Sequence, residues 1–198
     1  MISDLTTPLI SNLNDLGEIP EEEAHRIQRL FSKTEIPKHH YFVKAGEIQK
    51  VIGFNLSGVF RYFYTNYDGE EFNKHFCVDR DWVLSLSALA DRSPSLFSIQ
   101  ALEDNLVLTV DAESIYELIQ VNPYWQAIYR QLLENNYVKK EKREADFLLN
   151  NASGRYQSFL KEYPSLPDRI RQHHIASYLG ITPVSLSRIR SNTNSDNK

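Results

Sequence analysis

Residues 172–191, QHHIASYLGITPVSLSRIRS, allow few backbone paths. Two short helical runs are interrupted at Gly180, a residue free to take the left-handed conformation that side chains resist. Thr182 and Pro183 follow as a natural N-cap and first helical residue, which gives the second run a defined start. Steeply crossed helices need a small residue where they approach and apolar residues inside the angle. Ala176 supplies the first, and Ile175, Leu179, Ile181, Leu186 and Ile189 supply the second. The segment therefore predicts a helix-turn-helix with helices over 172–179 and 183–190. The plain alternative is a helical hairpin whose Gly180 and Ala176 serve packing alone.

A helix-turn-helix places the N-terminal part of its second helix in a DNA major groove. The outward positions there are Thr182, Val184, Ser185, Ser187 and Arg188, with Arg190 nearer the end. Arg188 carries the fork that pairs with guanine, a contact worth about 1–3 kcal/mol of discrimination, while Ser185 and Ser187 can reach bases or phosphates. Arg169, Arg171, His173 and His174 lie just before or at the start of the first helix, suited to the phosphate backbone. Double-stranded DNA is the expected partner.

The rest of the chain divides by periodicity. PEEEAHRIQRLFSK, residues 20–33, predicts a short amphipathic helix with acids at its start. From Lys38 to about Val110, HYFVKAGEI, KVIGFNLSG, VFRYFYTNYDGEE, FNKHFCV, FSIQALED and NLVLTVD read as strands, with turns at Ala45-Gly46, Ser57-Gly58 and Asp68-Gly69. Such spacing predicts a closed or rolled antiparallel β domain. Residues 111–121 return to helical spacing and stop before Asn122-Pro123. From Pro123 to about Asn150 no Gly or Pro intervenes, and Trp125, Ile128, Tyr129, Leu132, Leu133, Asn136 and Tyr137 recur at three-and-four spacing. A helix that long spans roughly 40 Å, more than a small β domain can cover. Part of its stripe is expected to meet a second copy of the chain, making a homodimer; packing wholly on its own domain is the alternative. After Gly154 come short helical pieces over 155–162, 172–179 and 183–190, separated by YPSLPD and Gly180-Ile181-Thr182, and the polar tail SNTNSDNK is expected to be disordered. The expected organisation is a sensor domain over 1–121, a dimerisation helix over 122–150 and a DNA-binding domain over 151–198.

A β-roll, a long helix and a C-terminal helix-turn-helix in this order resemble the Crp/Fnr family of bacterial transcription regulators, in its short form. FSIQALED at 97–104 and HIASYLGITPVSLSRIR at 174–190 carry the resemblance, which covers about residues 8–191. It implies an α+β chain with an N-terminal double-stranded β-helix, a jelly-roll-like cyclic-nucleotide-binding fold. It also implies a long dimerisation helix, sequence-specific DNA binding, and RNA polymerase as a further candidate partner. Family members that bind cyclic AMP use a Gly-Glu pair for the ribose and an Arg about ten residues on for the phosphate. Here Leu84 and Ser85 fall where Gly-Glu would be, and Leu96 or Phe97 where the Arg would be; Arg92 is nearby, on the expected turn before Pro94. A buried phosphate without a cationic partner is costly, so no response to cyclic AMP is expected. The corresponding effector pocket would comprise Leu84, Ser85, Leu86, Leu96, Phe97 and Ser98. It would take some other small molecule or nothing, and no cofactor is expected. The family's oxygen-sensing cysteine cluster is absent, the eight residues after Arg190 are too few for the usual hairpin wing, and Val184 stands where many members carry a Glu that reads cytosine.

Composition excludes several other classes. Cys77 is the only cysteine, so it forms no internal disulfide and no thiolate set for zinc or an iron-sulfur cluster. His39, His40, Glu47 and His75 invite a metal-dependent enzyme, but neighbouring strand residues point to opposite faces, and neither a metal site nor an enzyme is expected. No run approaches the roughly 20 apolar residues of a membrane helix, and MISDLTTPLISNLND has neither the basic start nor the apolar run of a secretion signal. A cytoplasmic protein with no membrane partner is expected. The formal charge of -4 argues against nucleic acid until it is divided: residues 139–198 carry 11 Lys+Arg and 6 Asp+Glu, a net of +5, against -9 for the remainder. The runner-up function is a ligand-binding or protein-interaction module that has lost DNA binding.

Overall fold

A computed structural model describes residues 2–195. Its elements are α1 (Ile2–Leu16), α2 (Glu21–Leu30), β1 (Ser32–Ile36), β2 (Tyr41–Val43), β3 (Val51–Ser57), β4 (Phe60–Thr65), β5 (Glu71–Cys77), β6 (Asp81–Val83), α3 (Leu86–Asp91), β7 (Ser98–Ala101), β8 (Asn105–Asp111), α4 (Ala112–Val121), α5 (Pro123–Leu149), α6 (Ala152–Glu162), α7 (Leu166–Arg169), α8 (Gln172–Leu179) and α9 (Pro183–Ser195). The chain divides into two compact units. One is built from the chain up to Tyr64 with His75–Glu134, the other from Thr65–Lys74 with the chain from Asn135 onward. The long helix expected over 122–150 is α5, which runs from the first unit into the second after Glu134.

In the first unit two antiparallel four-stranded sheets, ordered β1-β8-β3-β6 and β2-β7-β4-β5, form the predicted roll. Phe60, Tyr62, Phe97, Ile99 and Val107 fill its interior with Val43, Cys77, Val83 and Ala101. The outer side of β3 and β8 is also covered: Ile52, Phe54, Leu108 and Val110 join Leu9, Leu13, Ile27, Phe31, Ile115, Trp125 and Ile128 from the surrounding helices. Burial on both faces explains why VIGF and LVLTV run nearly unbroken in apolar residues rather than alternating.

Several expectations are corrected here. The strand β1, SKTEI, pairs with β8 from Ser32↔Thr109 to Ile36↔Asn105, so Ser32 and Lys33 leave the predicted helix. Their short polar run carries no β signal, and the ladder supplies it. The N-terminal helix α1 is not among the predicted elements; Pro8 lies inside it, although Leu5, Leu9 and Leu13 keep a four-residue spacing. His39 and His40 lie in the turn before β2, His39 at φ +70°, so strand alternation does not govern them. Among the described residues no three His, Cys, Asp or Glu side chains gather where they could hold a metal ion, and no helix is long and apolar enough to cross a membrane.

Trp125 and Ile128, expected at a dimer seam, are each 3% exposed in the chain's own core. Trp125 Nε1 donates to Glu23 Oε2 at 2.6 Å, Asn122 Nδ2 donates to Glu23 Oε1 at 2.8 Å, and the Arg26 guanidinium stands 3.0 Å away. This constellation ties α2 to the start of α5. Tyr129 and Leu132 are half-buried, whereas Leu133, Asn136, Tyr137 and Val138 are exposed.

Candidate nucleic-acid interface

In the second unit Tyr156, Phe159, Tyr163 and Tyr178 form an aromatic core, with Phe159 5.5 Å from the rings of both Tyr163 and Tyr178. Against it sit Leu166, Ile175, Ala176, Leu179 and Leu186, all essentially buried. The short α7 starts within YPSLPD, where the sequence predicts only a break, and runs to Arg169. Helix α8 spans the predicted residues and closes at Gly180, φ +67°, where Ile181 N–H donates to Ala176 O at 3.0 Å and Gly180 N–H to Ser177 O at 3.2 Å. A Cβ on Gly180 would stand 3.0 Å from Phe147 Cε1, a second reason for glycine there.

The next helix starts as its sequence dictates. Thr182 Oγ1 accepts from the Ser185 N–H at 3.1 Å, and Thr182 O from the Leu186 N–H at 3.0 Å. Leu186 points fully inward, while Pro183, Val184, Ser187 and Arg188 face solvent. Thr182 and Ser185 are partly occupied with each other, their hydroxyls 3.0 Å apart, so the freest groups of the expected reading set are Val184, Ser187 and Arg188. Arg190 is half-buried; Arg171, at the N-cap of α8, and His173 are exposed. Instead of ending at Arg190, α9 continues through Ser195, so most of the tail expected to be disordered is helical and only residues 196–198 lie outside the described ones. Ser191 and Asn192, exposed one turn beyond Ser187 and Arg188 and outside the predicted helix over 183–190, extend the same face. No strand follows α9 among the described residues.

Two basic residues counted toward the positive charge of this region are committed elsewhere. Arg143 Nη2 donates to Tyr178 O at 2.9 Å with its guanidinium 3.8 Å from the Tyr178 ring centroid, and Arg155 Nε donates to Leu179 O at 3.1 Å. Both cap the carbonyl end of α8, where cations are favoured. Burial pushes the Tyr178 phenol up to about 12, while its hydroxyl donates to Glu162 Oε2 at 3.1 Å.

The expected effector residues do not converge. Leu84 and Leu86 line an apolar cleft of only about 30 Å³ with Trp82, Leu89, Tyr129 and Leu132. Phe97 packs into the roll interior 5.7 Å from the Tyr62 ring, Leu96 is 70% exposed, and Ser98 Oγ accepts from the Ala45 N–H at 3.0 Å. Ser85 is buried and its N–H donates to Gln49 Oε1 at 2.6 Å. Arg92 is exposed, bonded to Glu113 Oε1 at 2.5 Å and stacked 3.6 Å over Tyr116.

No protein-family model and no curated protein matches the chain in sequence. Solved structures do match its fold. FixK2 from Bradyrhizobium japonicum superposes with a TM-score of 0.75 at 17% identity, over 85% of this chain and 86% of that one. The c-di-GMP responsive global regulator CLP from Xanthomonas campestris gives 0.71 at 11% identity, over 90% and 93%. The catabolite activator protein of Thermus thermophilus gives 0.58 at 19% identity, over 94% and 88%. The chain has the fold of the Crp/Fnr-type regulators.

Proposed function

We propose that the protein is a homodimeric, sequence-specific DNA-binding transcription regulator of the Crp/Fnr type, acting in the cytoplasm. The observation that carries this reading is the capped helix α9, which buries Leu186 on one side and turns Val184, Ser187 and Arg188 to solvent on the other. That is the arrangement a recognition helix needs. The exposed apolar residues of α5, Leu133, Tyr137 and Val138, supply a surface for a second copy, which would set two recognition helices about 34 Å apart for successive major grooves. The charge supports one docking orientation, since a -9 remainder is repelled by DNA while the +5 region is drawn to it.

The reading carries no cyclic AMP response. Of the residues where the phosphate's cation would stand, Leu96 faces solvent and Phe97 packs in the roll, and Arg92 is engaged with Glu113. Any other effector of the roll would act by favouring one of two dimer states, and RNA polymerase is the further partner this function implies. The test is footprinting on fragments selected from the source genome. Arg188→Ala abolishes sequence preference if Arg188 reads a base; an unchanged footprint removes it from the reading set, and no footprint with the wild-type chain favours an interaction module instead.

A further inference from the structure

The tip of the β4–β5 hairpin, Thr65–Lys74, belongs to the helix-turn-helix unit rather than to the roll from which its strands extend. Asn66 makes that tip stiff. Its N–H donates to Glu70 O at 3.0 Å, its Oδ1 accepts from the N–H groups of Asp68 and Glu70 at 3.0 and 2.9 Å, and its Nδ2 donates to the Glu70 carboxylate at 2.9 Å. Gly69, at φ +81°, completes the turn.

Strand β5 lies at the edge of its sheet. The C=O of Glu71 and the N–H of Asn73 point the same way along an edge, and such groups need partners from outside the sheet. Helix α8 provides a single hydroxyl for both: Ser177 Oγ accepts from Asn73 N–H at 3.0 Å and donates to Glu71 O at 3.0 Å. A serine inside a helix ordinarily turns its hydroxyl to its own backbone or to water. Ser177 gives both of these bonds to the hairpin. The Asn73 side chain adds a second attachment one turn away, Nδ2 donating to His174 O at 3.0 Å and lying 3.5 Å from His174 Nδ1. Asn73 O accepts at 3.5 Å from Arg143, the residue that caps Tyr178 O at the end of α8. Asn73 is 4% exposed; its N–H, C=O and Nδ2 are spent on these contacts, and its Oδ1 is buried without a partner among the described residues.

We infer that the hairpin is the positioning element of the DNA-reading module, with Asn73 and Ser177 as a latch that fixes the orientation of α8 and, through the Gly180 turn, of α9. The inference rests on the DNA-binding reading and adds its control point.

The test uses the full chain as wild type, Ser177→Ala and Ser177→Thr. Hydrogen exchange of the Asn73 amide reads the latch without DNA, and gel shifts with sheared genomic fragments at fixed salt read its consequence. Ser177→Ala is expected to speed Asn73 exchange at least about tenfold and to weaken DNA binding roughly five- to tenfold, the scale of one or two lost hydrogen bonds. Ser177→Thr, which keeps the hydroxyl, restores both while the unfolding midpoints stay close together. Unchanged exchange at Asn73 overturns the latch, and faster exchange with unchanged DNA affinity overturns the positioning role. Wild-type protein that binds no fragment at low salt overturns the DNA-binding reading and the positioning role with it; the exchange arm still reports the latch, so the two failures are told apart.

Discussion

Glu23 in the roll unit and Arg143 in the helix-turn-helix unit are both charged groups drawn inward, yet they serve opposite ends. The Glu23 carboxylate is closed off, taking hydrogen bonds from Trp125 and Asn122 and pairing with Arg26, and it welds helix to helix beside a roll whose interior is filled by Phe60, Tyr62 and Phe97. Arg143 and Arg155 instead brace one end of α8 through the carbonyls of Tyr178 and Leu179, while α9 keeps Val184, Ser187 and Arg188 in solvent. One unit consumes its polar groups to become rigid. The other uses its own to hold a face open, which is what a surface that must meet DNA requires.

The largest way to break this contrast is Trp125→Ala, which removes a 3%-exposed ring from the roll unit's core and takes one hydrogen bond from the Glu23 carboxylate. Denaturant unfolding is expected to show a loss of about 4 kcal/mol; a loss below about 1 kcal/mol would mean that Trp125 belongs to an interface with another chain. A smaller effect sharpens the other side. Gly180→Ala forces a side chain to φ +67° and to 3.0 Å from Phe147, and should cost about 1–2 kcal/mol, more than Gly69→Ala, where φ is +81° but nothing lies within 4 Å. Equal losses would show that the close approach to Phe147 does not matter.

A further effect is in alkali. Burial raises the Tyr178 phenol to about 12, above its unfolded value near 10, so its contribution is complete below about pH 10 and is lost as pH rises through 12. Tyr178→Phe should flatten the decline of stability in that window; Tyr124, also raised to about 12 by burial, leaves part of the slope in place. A decline as steep in the variant as in the wild type would remove Tyr178 from this role.

The helix-turn-helix was legible because its determinants are local. Gly180, Thr182 and Pro183 act on the backbone within a few residues, so α8 and the start of α9 fall where those residues put them. Elements made by distant partners were not. SKTEI becomes a strand through its ladder with β8, and Leu9 and Leu13 make α1 through packing that a sequence carrying Pro8 does not advertise. For the candidate site the limits are similar. The exposure of Val184, Ser187 and Arg188 follows from helical spacing around Leu186, whereas the commitment of Arg143, Arg155 and Ser177 depends on carbonyls and strand edges whose positions only the folded unit reveals. Trp125 and Ile128 illustrate the same limit within α5: spacing marks an apolar stripe but not which partner covers it.

The central claim is that α9 and its surroundings bind duplex DNA through phosphate contacts and base reading. Its most direct test is the affinity of the full chain for a genome-selected fragment measured across salt concentrations. Binding is predicted to fall about a hundredfold between 50 and 200 mM salt, the consequence of several neutralised phosphates, and to exceed binding to unrelated DNA at every salt concentration. A chain that binds neither fragment at low salt, or binds with no salt dependence, contradicts the account.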